Sequence, residues 1–139
     1  MRVEGPYGRF LLHRRTPRQV WIAGGVGITP FLAWAEALSA DDTREIALFW
    51  AVSSRAEAFA AERLLGLAAC RPSLKIHIVA SDEGGRLNAQ ALSSLTPFQL
   101  KSSELYFRGP AGLLDTLVSG LNELGQAPRR VHQEAFALR

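Results

Sequence analysis

One cysteine, Cys70, stands in 139 residues. That excludes a disulfide framework and a cysteine-based zinc site, and leaves a small buried or half-buried thiol as the expectation. Lysine is nearly as scarce, present only at Lys75 and Lys101, so arginine carries most of the formal net charge of +3. The arginines are scattered, with two local clusters, Arg14, Arg15 and Arg18, and Arg129 and Arg130. Neither makes the dense basic stripe with interleaved aromatics that nucleic acid requires, so no nucleic-acid partner is expected. No apolar run approaches the roughly 18 residues of a membrane span, and no signal peptide opens the chain. A soluble piece at the cytoplasmic face is expected, whose parent can still be membrane-anchored. There is no internal repeat and no low-complexity segment. A P-loop is absent, as no lysine follows the glycines near residue 25, and Val26 and Ile28 break the GxGxxG spacing. No Ser–His–Asp arrangement can be assembled. His132 and Glu134 share a strand face but find no further ligands, so no metal site is expected.

What is present centres on Gln19 to Leu38, QVWIAGGVGITPFLAWAEAL. Val20 to Ala23 reads as a buried strand. Gly24, Gly25 and Gly27 follow, then Thr29 and Pro30 open the helical run Phe31 to Leu38. Thr29 suits an N-cap and Pro30 the first helical position. Strand, glycine turn and helix start together aim free N–H groups and a helix dipole at one point, which suits a phosphate. The plainer alternative is a tight turn whose glycines serve packing alone.

The remaining chain alternates strands and helices, and 47% hydrophobic content suits one domain with a proper core. Glu45–Val52, Leu74–Ala80, Glu104–Phe107 and Arg130–His132 read as strands. Helices are expected over Ala56–Ala69, from Asn88 as N-cap through about Leu95, and over Ala111–Leu124, with Gly125 terminating the last. Ser81–Arg86 reads as a polar glycine loop. Such alternation implies an α/β fold, a doubly wound five-stranded parallel sheet. His77 falls inside the third strand as a core or second-layer residue, and Trp21, Trp34 and Trp50 read as core aromatics. In open parallel sheets ligands sit outside the carboxyl ends of the strands. Those ends carry Gly24 to Thr29, then Ser53, Ser54 and Arg55, then Ser81 and Asp82 with Arg86 beyond, then Arg108, Gly109 and Pro110, and last Glu134 and Phe136.

In this order GPYG, GGVGITPF, an aromatic-rich strand with SSR, a terminal GP and HQEAF resemble the ferredoxin–NADP reductase superfamily. The nearest likeness is to its ferric reductase-like branch, related to the NADPH oxidases. The resemblance runs from Gly5 to Phe136 and implies a Rossmann-like nicotinamide-nucleotide-binding domain over residues 1–139. It further implies that residues 1–12 are the tail of an FAD-binding barrel or an interdomain segment, with Tyr7 and Gly8 at the domain interface. The turn at GPYG, so near Met1, also suggests that something folded precedes it.

The resemblance implies roles for named positions. Gly24, Gly25, Val26, Gly27, Ile28, Thr29 and Pro30 would take the pyrophosphate of NADH or NADPH, with Thr29 near the nicotinamide. Ser53, Ser54, Arg55, Ser81 and Asp82 would flank the adenosine ribose, and Arg108, Gly109 and Pro110 the nicotinamide side. Glu134 and Phe136 would approach the flavin of FAD. Hydride would pass from nicotinamide C4 to flavin N5, with Thr29, Glu134 and Phe136 acting by positioning. The implied partners are the FAD-binding domain of the same parent and a haem-containing membrane domain. Two positions depart from the pattern. Arg108 stands where the family often has cysteine. Ser81-Asp82 replaces a Ser-Arg that holds a 2′-phosphate, which favours NADH, whereas Arg55 and Arg86 favour NADPH. Two rivals stay open: a regulatory nucleotide-binding module without redox turnover, and a nucleotide-dependent transferase on the same fold.

Overall fold

A computed structural model of the chain describes residues 17–39 and 42–136. Tyr7, Gly8 and the proposed flavin-domain tail over residues 1–12 lie outside them. Among the described residues five strands form one sheet: β1 (Arg18–Gly24), β2 (Glu45–Val52), β3 (Leu74–Ala80), β4 (Glu104–Pro110) and β5 (Arg130–Phe136). All four pairings are parallel, in the order β3-β2-β1-β4-β5. From β1 at the centre the described path winds outward to β3, then returns to lay β4 on the other side of β1 and β5 beyond it. The winding direction therefore reverses between β1 and β4.

Alternation along the strands loads both faces. Trp21, Leu48, Trp50 and Tyr106 point to one side, where they meet Phe31, Leu32 and Ala35 of α1 (Thr29–Ala37) and Leu64 of α2 (Ala61–Cys70). Val20, Ile22, Phe49 and Phe107 point to the other. There they meet Leu92 of α4 (Ala89–Leu95) and Leu114, Leu117 and Leu121 of α5 (Ala111–Glu123). Burial on both sides is why β1 and β2 read as unbroken apolar runs. The Trp21 indole donates to the Gln19 side chain at 2.9 Å, so its N–H is satisfied inside the core. Trp34 packs edge-on against Trp21, Phe31 and Tyr106.

Four expectations need correction. The second helix begins at Ala61 rather than Ala56. Residues 55–57 form a single 3-10 turn in which Glu57 accepts the Ser53 N–H at 3.0 Å, and this local bonding holds the chain out of the helix. Ser81–Gly84 is a helical turn, α3, not a loop, and it ends where Gly85 turns to φ +103°. The fourth and fifth strands run on to Pro110 and Phe136, because their ladder continues through Arg108↔Glu134 to Pro110↔Phe136. Cys70 is exposed at the end of α2 rather than buried. Asn88 does cap α4, accepting the Ala91 N–H at 2.8 Å, and Gly125 takes φ +69° just beyond α5.

Two predictions concern these elements. Gly66 lies exposed inside α2 with nothing within 4 Å of a Cβ built on it. Gly66→Ala should stabilise the protein by about 0.5–1 kcal/mol, read from chemical denaturation. His77 stacks on its β2 neighbour Phe49 at 4.9 Å. Burial pushes the imidazole below its ordinary 6.5. The unfolded chain then takes up the proton first, so this contribution to stability is present above 6.5 and is lost as pH falls through the lowered value. His77→Phe should keep the stack and flatten the stability profile below about pH 7.

Candidate functional site

The carboxyl ends of the strands form one rim, and the chain path reverses between β1 and β4, the place where open parallel sheets form a ligand crevice. β1 leaves the sheet at Gly24, and Gly25–Ile28 forms a 3-10 turn that runs straight into α1. Thr29 is therefore not the N-cap. It is already helical, at φ −53° and ψ −51°, and its hydroxyl donates back to the Val26 carbonyl at 3.3 Å. The leading N–H groups of this continuous helical path belong to Gly25, Val26 and Gly27, earlier than the Thr29 cap would place them. Pro30 falls in the first turn of α1, where its missing N–H costs no bond.

The glycines divide between two tasks. Gly25 takes φ +57°, and a Cβ there would meet nothing within 4 Å, so it supplies the turn and leaves open space above it. Gly24 and Gly27 serve close approach. A Cβ on Gly27 would strike the Arg108 carbonyl oxygen well inside the 3.0 Å limit, and one on Gly24 would meet Pro110 Cδ at 2.8 Å. Close packing and open space are thus both present, at different residues. The turn lies against Arg108–Pro110, so the structure brings the first and fourth strand ends together. Ile28 is fully buried, which leaves only its backbone for a ligand, whereas the Val26 side chain is 70% exposed.

Trp50 was not foreseen as part of this site. It precedes Val52 on the same face of β2, is fully buried, and its indole donates to the Gly25 carbonyl at 2.8 Å. That bond fixes the turn from below. The only advance signal was its place two residues before the end of β2.

On the β2 side, Ser53 accepts the Asp82 N–H at 3.1 Å and the Ser81 hydroxyl at 3.5 Å. Arg55 pairs with Glu83 at 2.8 Å and reaches the Ile78 carbonyl at 3.4 Å. Ser53, Arg55, Ser81 and Asp82 are therefore one bonded unit, with Ser54 half-buried between them. Glu83, which sequence reasoning missed, is the carboxylate that holds Arg55. The pair is exposed and contributes at most about 1 kcal/mol. Arg86 is exposed beyond α3.

On the β4 and β5 side, Arg108 and Glu134 are direct cross-strand neighbours, and Arg108 Nε pairs with Glu134 Oε1. The two residues assigned separately to nicotinamide and flavin thus meet as an ion pair. Two rungs down the same face, His132 stacks on Tyr106 at 4.4 Å and its Nε2 lies 2.8 Å from Glu104 Oε1. Phe136 lies on the last rung of β5, opposite Pro110. Among the described residues no cluster of histidine, cysteine or carboxylate could hold a metal ion, and none of their helices is long and apolar enough to cross a membrane.

The opposite rim carries local side-chain bonds beside β2. Arg44 grips Asp42 through Nε at 3.0 Å and Nη2 at 2.6 Å. The hydrogen bond to Asp42 raises the Arg44 pKa above its ordinary value. Arg71 Nε donates to the Leu38 carbonyl at 2.9 Å. The carboxyl rim combines an open glycine turn, backbone donors and polar side chains. Such groups are suited to binding an anion and positioning a ligand.

The model of the oxidoreductase NAD-binding domain family matches residues 21–118. The chain is 34% identical over 140 residues to the beta subunit of a heme-dependent oxidative N-demethylase from Ectopseudomonas mendocina, covering 99% of this chain and 41% of that one. It is 31% identical over 136 residues to a phenoxybenzoate dioxygenase subunit beta from Ectopseudomonas oleovorans, covering 97% and 39%. The chain spans about two fifths of the length of these relatives. A flavohemoglobin from Malassezia yamatoensis, solved with bound FAD and heme, superimposes with a TM-score of 0.73 at 27% identity, over 91% of this chain and 33% of that one. The chain belongs to the oxidoreductase NAD-binding domain family, within the ferredoxin–NADP reductase superfamily.

Proposed function

We propose that this chain holds the nicotinamide dinucleotide for a flavin-dependent reductase whose FAD sits mainly on a domain outside it. The observation that carries the reading is the Gly25–Gly27 donor turn, braced by Trp50 and set against Arg108–Pro110 where the sheet reverses. The residues fit such a ligand. Gly25 leaves the space that a pyrophosphate would fill, and the helical N–H groups face an anion with the positive end of α1 behind them. When bound, the dinucleotide supplies the hydride and the flavin accepts it. The chain binds, orients and excludes water. Ser53, Ser54, Ser81 and Asp82 would flank the adenosine ribose. Thr29, Arg108, Gly109, Pro110, Glu134 and Phe136 would order the nicotinamide end and its approach to the flavin.

NADH is the ligand we favour over NADPH. Arg55 is engaged by Glu83, and Asp82 stands beside it, so the end of β3 presents carboxylate charge to a ribose. Such charge suits a free diol and repels a 2′-phosphate. Within the superfamily we infer the ferric reductase-like branch from Gly24–Phe31 and His132–Phe136. That branch implies an iron acceptor, as a chelate or as haem in a membrane partner. The regulatory alternative is motivated by Arg108, whose guanidinium stands near the expected hydride path.

Anaerobic mixing of NADH with the chain and the parent's flavin domain tests the reading. Rapid loss of the flavin's visible absorbance, dependent on this chain, is expected. The chain alone should retain no stoichiometric FAD and show no turnover. A flavin that stays oxidised favours the regulatory module.

A further inference from the structure

Phe59 is the feature that the fold does not account for. Its place in an apolar helical pattern predicts burial, yet it is 65% exposed. The 3-10 turn at 55–57 and the non-helical Ala58, at φ −83° and ψ 67°, lift it out ahead of α2, while its neighbour Ala60 is buried. The ring is not adrift. It meets the Trp50 ring edge-on, with centroids 5.4 Å apart and planes at 87°. Trp50 in turn holds the Gly25 carbonyl. An exposed aromatic plane is thereby coupled through one buried indole to the donor turn. Val26, 70% exposed, stands on that turn as a second apolar surface. The neighbouring rim carries the Ser53 and Ser54 hydroxyls and the Arg55–Glu83 pair.

We propose that Phe59 is the stacking platform for the adenine of the bound dinucleotide. The inference rests on the dinucleotide reading and adds to it the residue that receives the base. Adenine is the part of the ligand with a broad, weakly hydrated π-face and no charge, and such a base stacks on an aromatic side chain without needing a specific hydrogen-bond pattern. The β2 rim then takes the ligand in order: pyrophosphate on Gly25–Gly27, ribose by the serines, base on Phe59.

The test titrates the 139-residue chain and its Phe59→Ala and Phe59→Trp variants with NADH, ADP and reduced nicotinamide mononucleotide. Phe59→Ala should weaken NADH and ADP about tenfold and leave the mononucleotide, which has no adenine, unchanged. Phe59→Trp should keep or improve the affinity for NADH and ADP. Phe59→Ala should also melt with the parent chain, since the side chain is mostly in solvent. Equal NADH and ADP binding by Phe59→Ala overturns the inference and leaves the dinucleotide reading standing. Equal loss for all three ligands also overturns it, because that is distortion of the turn through Trp50. If none of the ligands moves the Gly25–Gly27 amides of the unaltered chain, the dinucleotide reading fails and the adenine platform with it.

Discussion

Gly27→Ala should cost about 3 kcal/mol, lower the melting temperature by roughly 10 °C, and abolish nucleotide binding at concentrations that saturate the parent chain. The obstacle is backbone. The new methyl would drive into the Arg108 carbonyl oxygen and carbon, and neither can swing aside as a side chain does. Relief requires the glycine turn to lift off β4, which separates the two lips of the crevice. Gly25→Ala is the informative partner. It meets no atom, and its penalty is the φ of +57° alone, about 1 kcal/mol. Thermal melts of the two variants should therefore rank Gly27→Ala well below Gly25→Ala. Equal melts would mean that the turn does not rest on β4 as described.

The second large effect is at the sheet edge. His132→Ala should destabilise by about 2–4 kcal/mol in urea titration. His132 is 2% exposed, stacked on Tyr106, and hydrogen-bonded to Glu104, whose side chain is only 13% exposed. Truncation removes the ring contact, opens a cavity between β4 and β5, and deprives a largely buried carboxylate of its imidazole. His132→Phe keeps the ring and the volume, so it should recover about half of the loss. Because β5 pairs only with β4 among the described residues, the loss should be local. Amide exchange should accelerate along Arg130–Phe136 before it does in β1 or β2. A His132→Ala variant within about 0.5 kcal/mol of the parent would mean that the edge is held by backbone pairing alone.

What could be read from the residues follows from what is local. β2 and β3 carry the bounds expected of them, because residues buried on both faces leave a continuous apolar signature between turn signals. Asn88 and Gly125 act where local bonding predicts. The misses are tertiary. Thr29 resembles a cap in isolation, but the 3-10 turn before it has already started the helix. Phe59 fits a helical period, but Glu57 binds Ser53 and delays the helix to Ala61. The contacts that assemble the site join residues 25 to 28 positions apart: Trp50 to Gly25, Arg108 to Glu134 and Arg55 to Glu83. No pattern within a window of sequence shows such pairs. Rim membership was legible because glycine and polar residues follow the apolar interior of each strand, even though the β4 and β5 ladders run further than expected. Partnerships along the rim depend on strand order, and they are not.

The central claim is that backbone N–H groups of the Gly25–Gly27 turn receive the pyrophosphate of a reduced nicotinamide dinucleotide. Amide resonances followed during NADH titration test it most directly. The account predicts the largest shifts at Gly25, Val26 and Gly27, smaller ones at Ser53 to Arg55 and Arg108 to Gly109, and none at Arg44 or Arg71 on the opposite rim. Saturating NADH that leaves the turn unmoved, or that perturbs the Arg44 rim instead, would contradict it.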